Sequence, residues 1–274
     1  MRLLSLAAGT ILDVGPAEAV DVAADAGFPA VGVWFDAASW TNAVASDVRH
    51  RADTRGLTLL DVEPIILTPA GSSTPDHGEA IVDAARFLGA RNILVASRDA
   101  DDGRVAARLH ELAERLEGTD IRLVLEFLPI MAVRTLPQAL TIVAAAAHPR
   151  LGVLVDALHL SRAGHHPSDL AGFDLALFPY LQLCDAPAET AASPNSNMAP
   201  LLYEALHGRL LPGDGALPLA ELLEAIPEVP ISLELRSAAL MTGYPDPTTR
   251  ARAVRMATER TIGASGQPRP ARAN

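Results

Sequence analysis

The chain contains no lysine; all 22 of its basic Lys/Arg positions are arginine. That absence excludes chemistry built on a lysine Schiff base, including pyridoxal phosphate enzymes and lysine aldolases. It also excludes a phosphate loop of the Walker type. Cysteine is nearly absent: Cys184 stands alone and cannot close an intramolecular disulfide, which fits a reducing compartment and makes the cytoplasm the expected location. No apolar run approaches the ~20 residues of a membrane-spanning helix, so insertion in a bilayer is not expected. Positive charge is outweighed, with 33 acidic residues and a net charge of −11. Such a field repels polyphosphate, so nucleic acid and anionic membrane surfaces are poor partners and a small molecule is the expected one.

What is present is a chain of 274 residues, 49% of them hydrophobic, which is enough to bury a full core and too apolar for a disordered one. Arg2, the apolar stretch Leu3 to Leu12 and Ala17-Glu18-Ala19 behind it have the outline of a short signal peptide. A first β-strand is the preferred reading, because removing this segment leaves the following repeat one strand short.

That repeat is an alternation of short Val/Ile/Leu-rich runs with segments of helical spacing, each closed by Gly or Pro. The strand candidates are Leu3 to Ala8, Ala30 to Phe35, Thr58 to Glu63, Asn92 to Ala96, Arg122 to Phe127, Gly152 to Asp156, Tyr180 to Cys184 and Ile231 to Leu235. Helices are predicted over Pro16–Ala26, Thr41–Arg55, Asp76–Leu88, Arg104–Leu116, Leu136–Ala147, a short stretch after Pro167, Leu219–Ala225 and Pro247–Thr261. Eight strands alternating with eight helices is the arithmetic of a single (β/α)8 TIM barrel over residues 1–262, with 263–274 as a polar, flexible tail. A doubly wound open sheet is the runner-up, but Ala8-Gly9-Thr10 after the first strand is not its glycine fingerprint. The long irregular connection from Ala186 to Leu217 is the loop expected to carry function.

In a barrel the chemistry gathers at the C-terminal ends of the strands. Strand five ends in Glu126, strand six in Asp156, strand seven carries Gln182 and strand eight ends in Glu234. Three carboxylates and a carboxamide converging on one point would repel unless a cation sat among them. All-oxygen ligation suits one divalent ion, with Mn2+ or Mg2+ ahead of Co2+ or Zn2+. Taken singly, each acidic strand end is equally a helix cap or an arginine partner. Trp34 and Glu63 end strands two and three and are expected to line the mouth, the tryptophan as an apolar wall; core packing accounts for Trp34 as well. Cys184 is read as a small buried filler.

Glu126 in LEFLP, the Asp156/His159 pair in VDALH, LQLCDA with Gln182 and Asp185, the HGRLLPGDG segment from His207 to Gly215, and Glu234 in SLEL occur in one order. In that order and spacing the chain resembles the xylose-isomerase-like TIM barrels, from Leu3 to about Thr261. This superfamily includes sugar phosphate isomerases and epimerases, inosose and 3-dehydroshikimate dehydratases, and endonuclease IV. The resemblance implies that Glu126, Asp156, Gln182 and Glu234 are metal ligands, that Glu126 and Glu234 double as the acid/base pair, and that His159 and Arg209 contact substrate. Asp185 is read as orienting the ligands from behind, or as a turn cap. Homodimers are common in such barrels. One departure is Gln182, where many epimerases of the family have histidine and some dehydroshikimate-dehydratase-like members have glutamine.

The expected activity is therefore a metal-dependent isomerase or epimerase acting on a small polyhydroxy ketone, through proton removal next to the carbonyl and a metal-stabilised enolate. Expulsion of a β-hydroxyl from the same intermediate would make the protein a dehydratase on a cyclic polyhydroxy ketone. A nuclease of the endonuclease IV type needs several metals with histidine ligands and a basic groove, which this acidic chain lacks. A non-catalytic barrel or partner subunit is the remaining alternative.

Overall fold

A computed structural model describes residues 2–190 and 198–265. Eight parallel strands close into a barrel in sequence order: β1 (Leu4–Leu6), β2 (Ala30–Trp34), β3 (Thr58–Leu67), β4 (Asn92–Ser97), β5 (Arg122–Glu126), β6 (Leu151–Asp156), β7 (Leu181–Leu183) and β8 (Ile231–Leu233). Closure is made by β1 on β8, with Ser5 opposite Ser232 and Leu6 opposite Leu233. Around the barrel lie α1 (Pro16–Asp25), α2 (Asn42–Arg55), α3 (Gly78–Leu88), α4 (Asp102–Glu114), α5 (Leu136–Ala146), α6 (Ala157–Arg162), α7 (Pro200–His207), α8 (Leu219–Ala225), α9 (Ala238–Gly243) and α10 (Pro247–Ser265).

The continuous apolar runs divide by period two. Val31, Val33, Ile93, Val95, Leu123, Leu125, Val153 and Val155 belong to the large core beneath the helices. Ala30, Leu60, Leu94, Val124, Leu154 and Tyr180 form a separate small cluster inside the barrel. Two residues beyond the inner Val124, Leu154 and Tyr180 come Glu126, Asp156 and Gln182, so the same alternation aims all three inwards. Helix ends follow local chemistry: the Thr41 hydroxyl accepts from Val44 N–H at 3.2 Å to start α2, and Gly56 ends it in the left-handed region at φ 67°.

Differences from the sequence reading concentrate at the mouth. β3 runs four residues past Glu63, because the ladder to β4 shifts register between Val62 and Ile65 and resumes beyond Pro64. The segment after Pro167 is a 3-10 turn rather than an α-helix, and α6, α7 and α9 are short helices that were not predicted. The long seventh loop is thus interrupted by α7, and its residues 191–197 lie outside the described residues. The last helix reaches Ser265, past the expected boundary, and the remainder of the tail, 266–274, lies outside the described residues. No helix among the described residues is long and apolar enough to cross a membrane.

Candidate metal centre

The four strand ends meet through the stagger of the barrel. Glu126 is level with Leu154, two residues below Asp156; Asp156 is level with Gln182; and Gln182 is level with Ser232, two residues below Glu234. With its amide nitrogen turned inwards, Gln182 donates to Glu126 Oε1 at 3.2 Å and to Glu234 Oε2 at 3.3 Å. Glu234 is held from behind by Thr10, whose hydroxyl donates to Leu233 C=O at 2.7 Å and accepts from Leu235 N–H at 2.8 Å.

Arg209, from the loop after β7, reaches the same point. Its guanidinium is buried and donates to Asp156 Oδ2 at 2.6 Å and to the Glu234 carbonyl at 3.2 Å, while Nη2 pairs with Glu234 Oε2 at 3.2 Å. Asp156 meanwhile caps α6 by accepting from His159 N–H at 2.9 Å. Both plain roles open to a lone acidic strand end, cap and arginine partner, are therefore realised in one carboxylate. His159 Nε2 accepts from Arg209 Nη2 at 3.3 Å, which places the ring proton on Nδ1, and lies 3.9 Å from Glu126 Oε1.

Charge decides what this arrangement can hold. Burial, then Glu234 and Asp156, push Glu126 well above the ordinary carboxylate range. Burial also raises Glu234, against the pull of Arg209. For Asp156, burial works upward, yet Arg209 and His159 outweigh it and hold the carboxyl below its usual value. Burial lowers His159 to about 4, so its contact with Glu126 is not an ion pair at neutral pH.

The donor set fits a divalent ion. Carboxylate oxygens of Glu126 and Asp156 and a ring nitrogen of His159 lie within 4.8 Å of one another, and the Gln182 amide and Arg209 guanidinium direct N–H groups at the very oxygens a cation would take. Turning the Gln182 amide over presents its oxygen to that point instead. Apart from Glu234 Oε2, which accepts from both Gln182 and Arg209, each carboxylate oxygen keeps a lone pair beyond the bonds described.

The other predicted residues sort clearly. Trp34 and Glu63 line the mouth cavity, of about 120 Å³, together with Glu126, His159, Arg209 and Glu234. Asp185 does not touch the carboxylates; it accepts from Ala186, Gly213 and Leu217 N–H at 2.9, 2.9 and 3.0 Å and so shapes the loop that delivers Arg209. Asp185 also bridges Leu210 in antiparallel fashion, as Gly208 does Ser237. Cys184 is buried with Sγ 3.5 Å from Arg209 Nη1, and burial raises its thiol pKa, so it remains a thiol.

Three features were not found from the sequence. Asp61 and Tyr180 are fully buried inside the barrel, and neither the Asp61 oxygens nor the Tyr180 hydroxyl has a hydrogen-bond partner among the described residues. A β-bulge brings Asp61 there, the ladder passing from Val31/Leu59 to Gly32/Asp61. Arg162 clamps Glu204 with two bonds of 2.7 and 2.8 Å, which fixes α7 over the cavity. Arg236 lines the cavity beside Glu234.

A family model described as xylose isomerase-like TIM barrel matches residues 20–259. No curated protein sequence matches the chain. Among solved structures, a xylose isomerase-like TIM barrel/4-hydroxyphenylpyruvate dioxygenase fusion protein is 21% identical with a TM-score of 0.77, the match covering 99% of this chain and 45% of that one. The chain therefore spans less than half of that relative. The IOLI protein with a bound zinc atom is 16% identical at a TM-score of 0.78, over 98% of this chain and all of that one. D-psicose 3-epimerase with D-tagatose from Clostridium cellulolyticum H10 is 14% identical at a TM-score of 0.70, over 96% and 99%. At these identities the likenesses establish the fold.

Proposed function

The chain belongs to the xylose isomerase-like TIM barrel family, and from that premise we propose that it is a divalent-metal-dependent isomerase or epimerase of a small hydroxy-ketone. The observation that carries this reading is the cluster of Glu126, Asp156 and His159, whose ligand atoms lie within 4.8 Å of one another, with Gln182 linking Glu126 to Glu234 at 3.2 and 3.3 Å and both glutamates pushed above the usual carboxylate range. Such a site is electrostatically unsatisfied without a cation. When bound, the ion polarises the ketone oxygen and acidifies the neighbouring C–H.

The chain's own residues supply the rest. Glu126 and Glu234 enter from strands on different sides of the centre, so one carboxylate takes the proton next to the carbonyl and the other returns one. Neutral His159 offers a hydrogen bond to a substrate hydroxyl, and Trp34 walls the cavity on the β2 side. Exclusion of water by α7 keeps the carboxylates basic. The zinc-bearing IOLI protein and D-psicose 3-epimerase share the fold and support this reading as relatives.

A second reading, a dehydratase, is favoured by Gln182 in place of the histidine many epimerases carry. Both reactions begin with the same proton removal. The test is hydrogen exchange in D2O: protein loaded with Mn2+ is incubated with D-fructose, D-tagatose and a panel of ketose acids and cyclic hydroxy-ketones. Deuterium entering the carbon beside the carbonyl supports the proposal, and a conjugated product identifies the dehydratase. A protein that takes up no divalent metal after reconstitution refutes both and leaves a non-catalytic barrel.

A further inference from the structure

The mouth cavity holds two arginines in different states. Arg209 is committed to Asp156 and Glu234. Arg236 is not: its charge acts on Glu234 through space, but among the described residues it makes no ion pair and its side chain makes no hydrogen bond. The residues outside the description contain no Asp or Glu that could supply one. Its backbone is nevertheless fixed, since its C=O accepts from Arg209 N–H at 3.2 Å and the adjoining Ser237 is bridged to Gly208. A guanidinium without an ion pair, carried by a held backbone in the wall of a cavity, can receive an anion.

The charge of the centre sharpens the point. Glu126, Asp156 and Glu234 are matched by Arg209 and one divalent ion, so in the loaded site Glu63 is the one other acid of the lining, and Arg236 makes no ion pair with it. Much of the rest of the lining, including Trp34, Ile66, Leu128, Ile130 and Met131, is apolar and suits ring or chain carbon rather than a full set of hydroxyls. Arg209 and Arg236 are the two arginines that line the cavity among the described residues, and Arg209 is already paired. One guanidinium fork matches a planar carboxylate in bidentate fashion.

We propose that Arg236 selects a substrate bearing a carboxylate, so that the hydroxy-ketone is a keto acid with an apolar face and not a neutral sugar. This inference rests on the metal-dependent reading above for its charge argument.

The experiment compares shikimate, a ring carboxylate with vicinal hydroxyls, with its neutral methyl ester by isothermal titration calorimetry on Mn2+-reconstituted protein, with metal content measured in the same samples. Wild-type protein is expected to bind shikimate roughly 10- to 100-fold more tightly than the ester. Arg236→Met should bring that ratio close to one without changing ester affinity or metal content, and Arg236→Lys should restore part of it. No preference for the carboxylate in the wild type, including binding of neither compound, overturns the proposal, as does an unchanged preference in Arg236→Met. Failure to take up Mn2+ counts against the metal reading alone, and the same ratio is then measured on the metal-free protein.

Discussion

Arg209 Nη1 stands 2.6 Å from Asp156 Oδ2, an ion pair buried at the centre of the barrel mouth. The guanidinium acts as an internal counter-ion for the carboxylates. Removing one partner of a buried pair leaves an uncompensated charge, at a cost of about 3–5 kcal/mol. Arg209→Ala should therefore destabilise the metal-free protein by about that much, read by urea unfolding. With saturating Mn2+ the loss should be smaller, because the ion neutralises the same oxygens. Equal losses in both conditions would show that metal and guanidinium serve different groups.

Asp61 predicts the pH dependence of stability. Burial raises its carboxyl to about 7, with the nearby Tyr180 hydroxyl opposing the shift and the charge of Glu234 adding to it. A folded pKa above the unfolded one means that the native state holds the proton more tightly. The resulting stability is full below about pH 4 and is lost as pH rises through 7. The metal-free protein should thus lose roughly 2–3 kcal/mol from this group between pH 5 and 8. Asp61→Asn should flatten that slope and be the more stable protein at pH 8. Denaturant titrations at the two pH values check both statements; a steeper slope in the variant would contradict them.

The barrel and its polar strand ends could be read from sequence because both rest on short-range pattern: period-two alternation and apolar runs ending in Glu126, Asp156 and Glu234. Asp61 could not. Its inward aim depends on a one-residue bulge against β2, and it sits within a run that reads as an ordinary alternating strand. For Arg209 the resemblance implies a place beside substrate, but its burial against Asp156 depends on the antiparallel bridges at Asp185 and Ser237, which no local pattern records. The missed helices α6, α7 and α9 span six to eight residues, too short to display helical periodicity. The free charge of Arg236 is a property of what surrounds it, which no single-sequence pattern records.

Gly32 should prove intolerant of a side chain. A Cβ built there would stand 2.4 Å from Asp61 Oδ1 and 3.2 Å from the Ala8 nitrogen. Gly32→Ala is expected to cost about 1–3 kcal/mol through overpacking. Combining it with Asp61→Ala should recover part of the loss, since the nearest obstacle is then gone. A double-mutant cycle in urea with no coupling would place the strain elsewhere.

Metal content distinguishes the ligand set from a mere acidic cluster. Reconstituted protein should carry about one divalent ion per chain by plasma mass spectrometry, and Glu126→Ala/Glu234→Ala should carry none while keeping the far-UV circular dichroism of the wild type. Binding to the native state alone raises stability by about 2.7 kcal/mol at a hundredfold excess over Kd, so the wild type should melt higher with Mn2+ and the double variant should not. Retention of metal by the variant would shift ligation towards Asp156 and His159.

Glu234→Gln separates charge from shape. The substitution preserves volume and the support from Thr10, whose bonds run to the backbone on either side of position 234. It removes the anion that pairs with Arg209 Nη2 and the base needed for proton transfer. Loss of a positioned general base typically costs 10²- to 10⁴-fold, so exchange of the proton beside the carbonyl in D2O should fall by at least that range while the thermal midpoint stays close to that of the wild type. Because Glu234 is raised by burial despite Arg209, the neutral amide also relieves an unfavourable charge, and the metal-free variant is expected to be no less stable. Exchange at the wild-type rate would show that Glu126 alone moves the proton and that the second glutamate only binds.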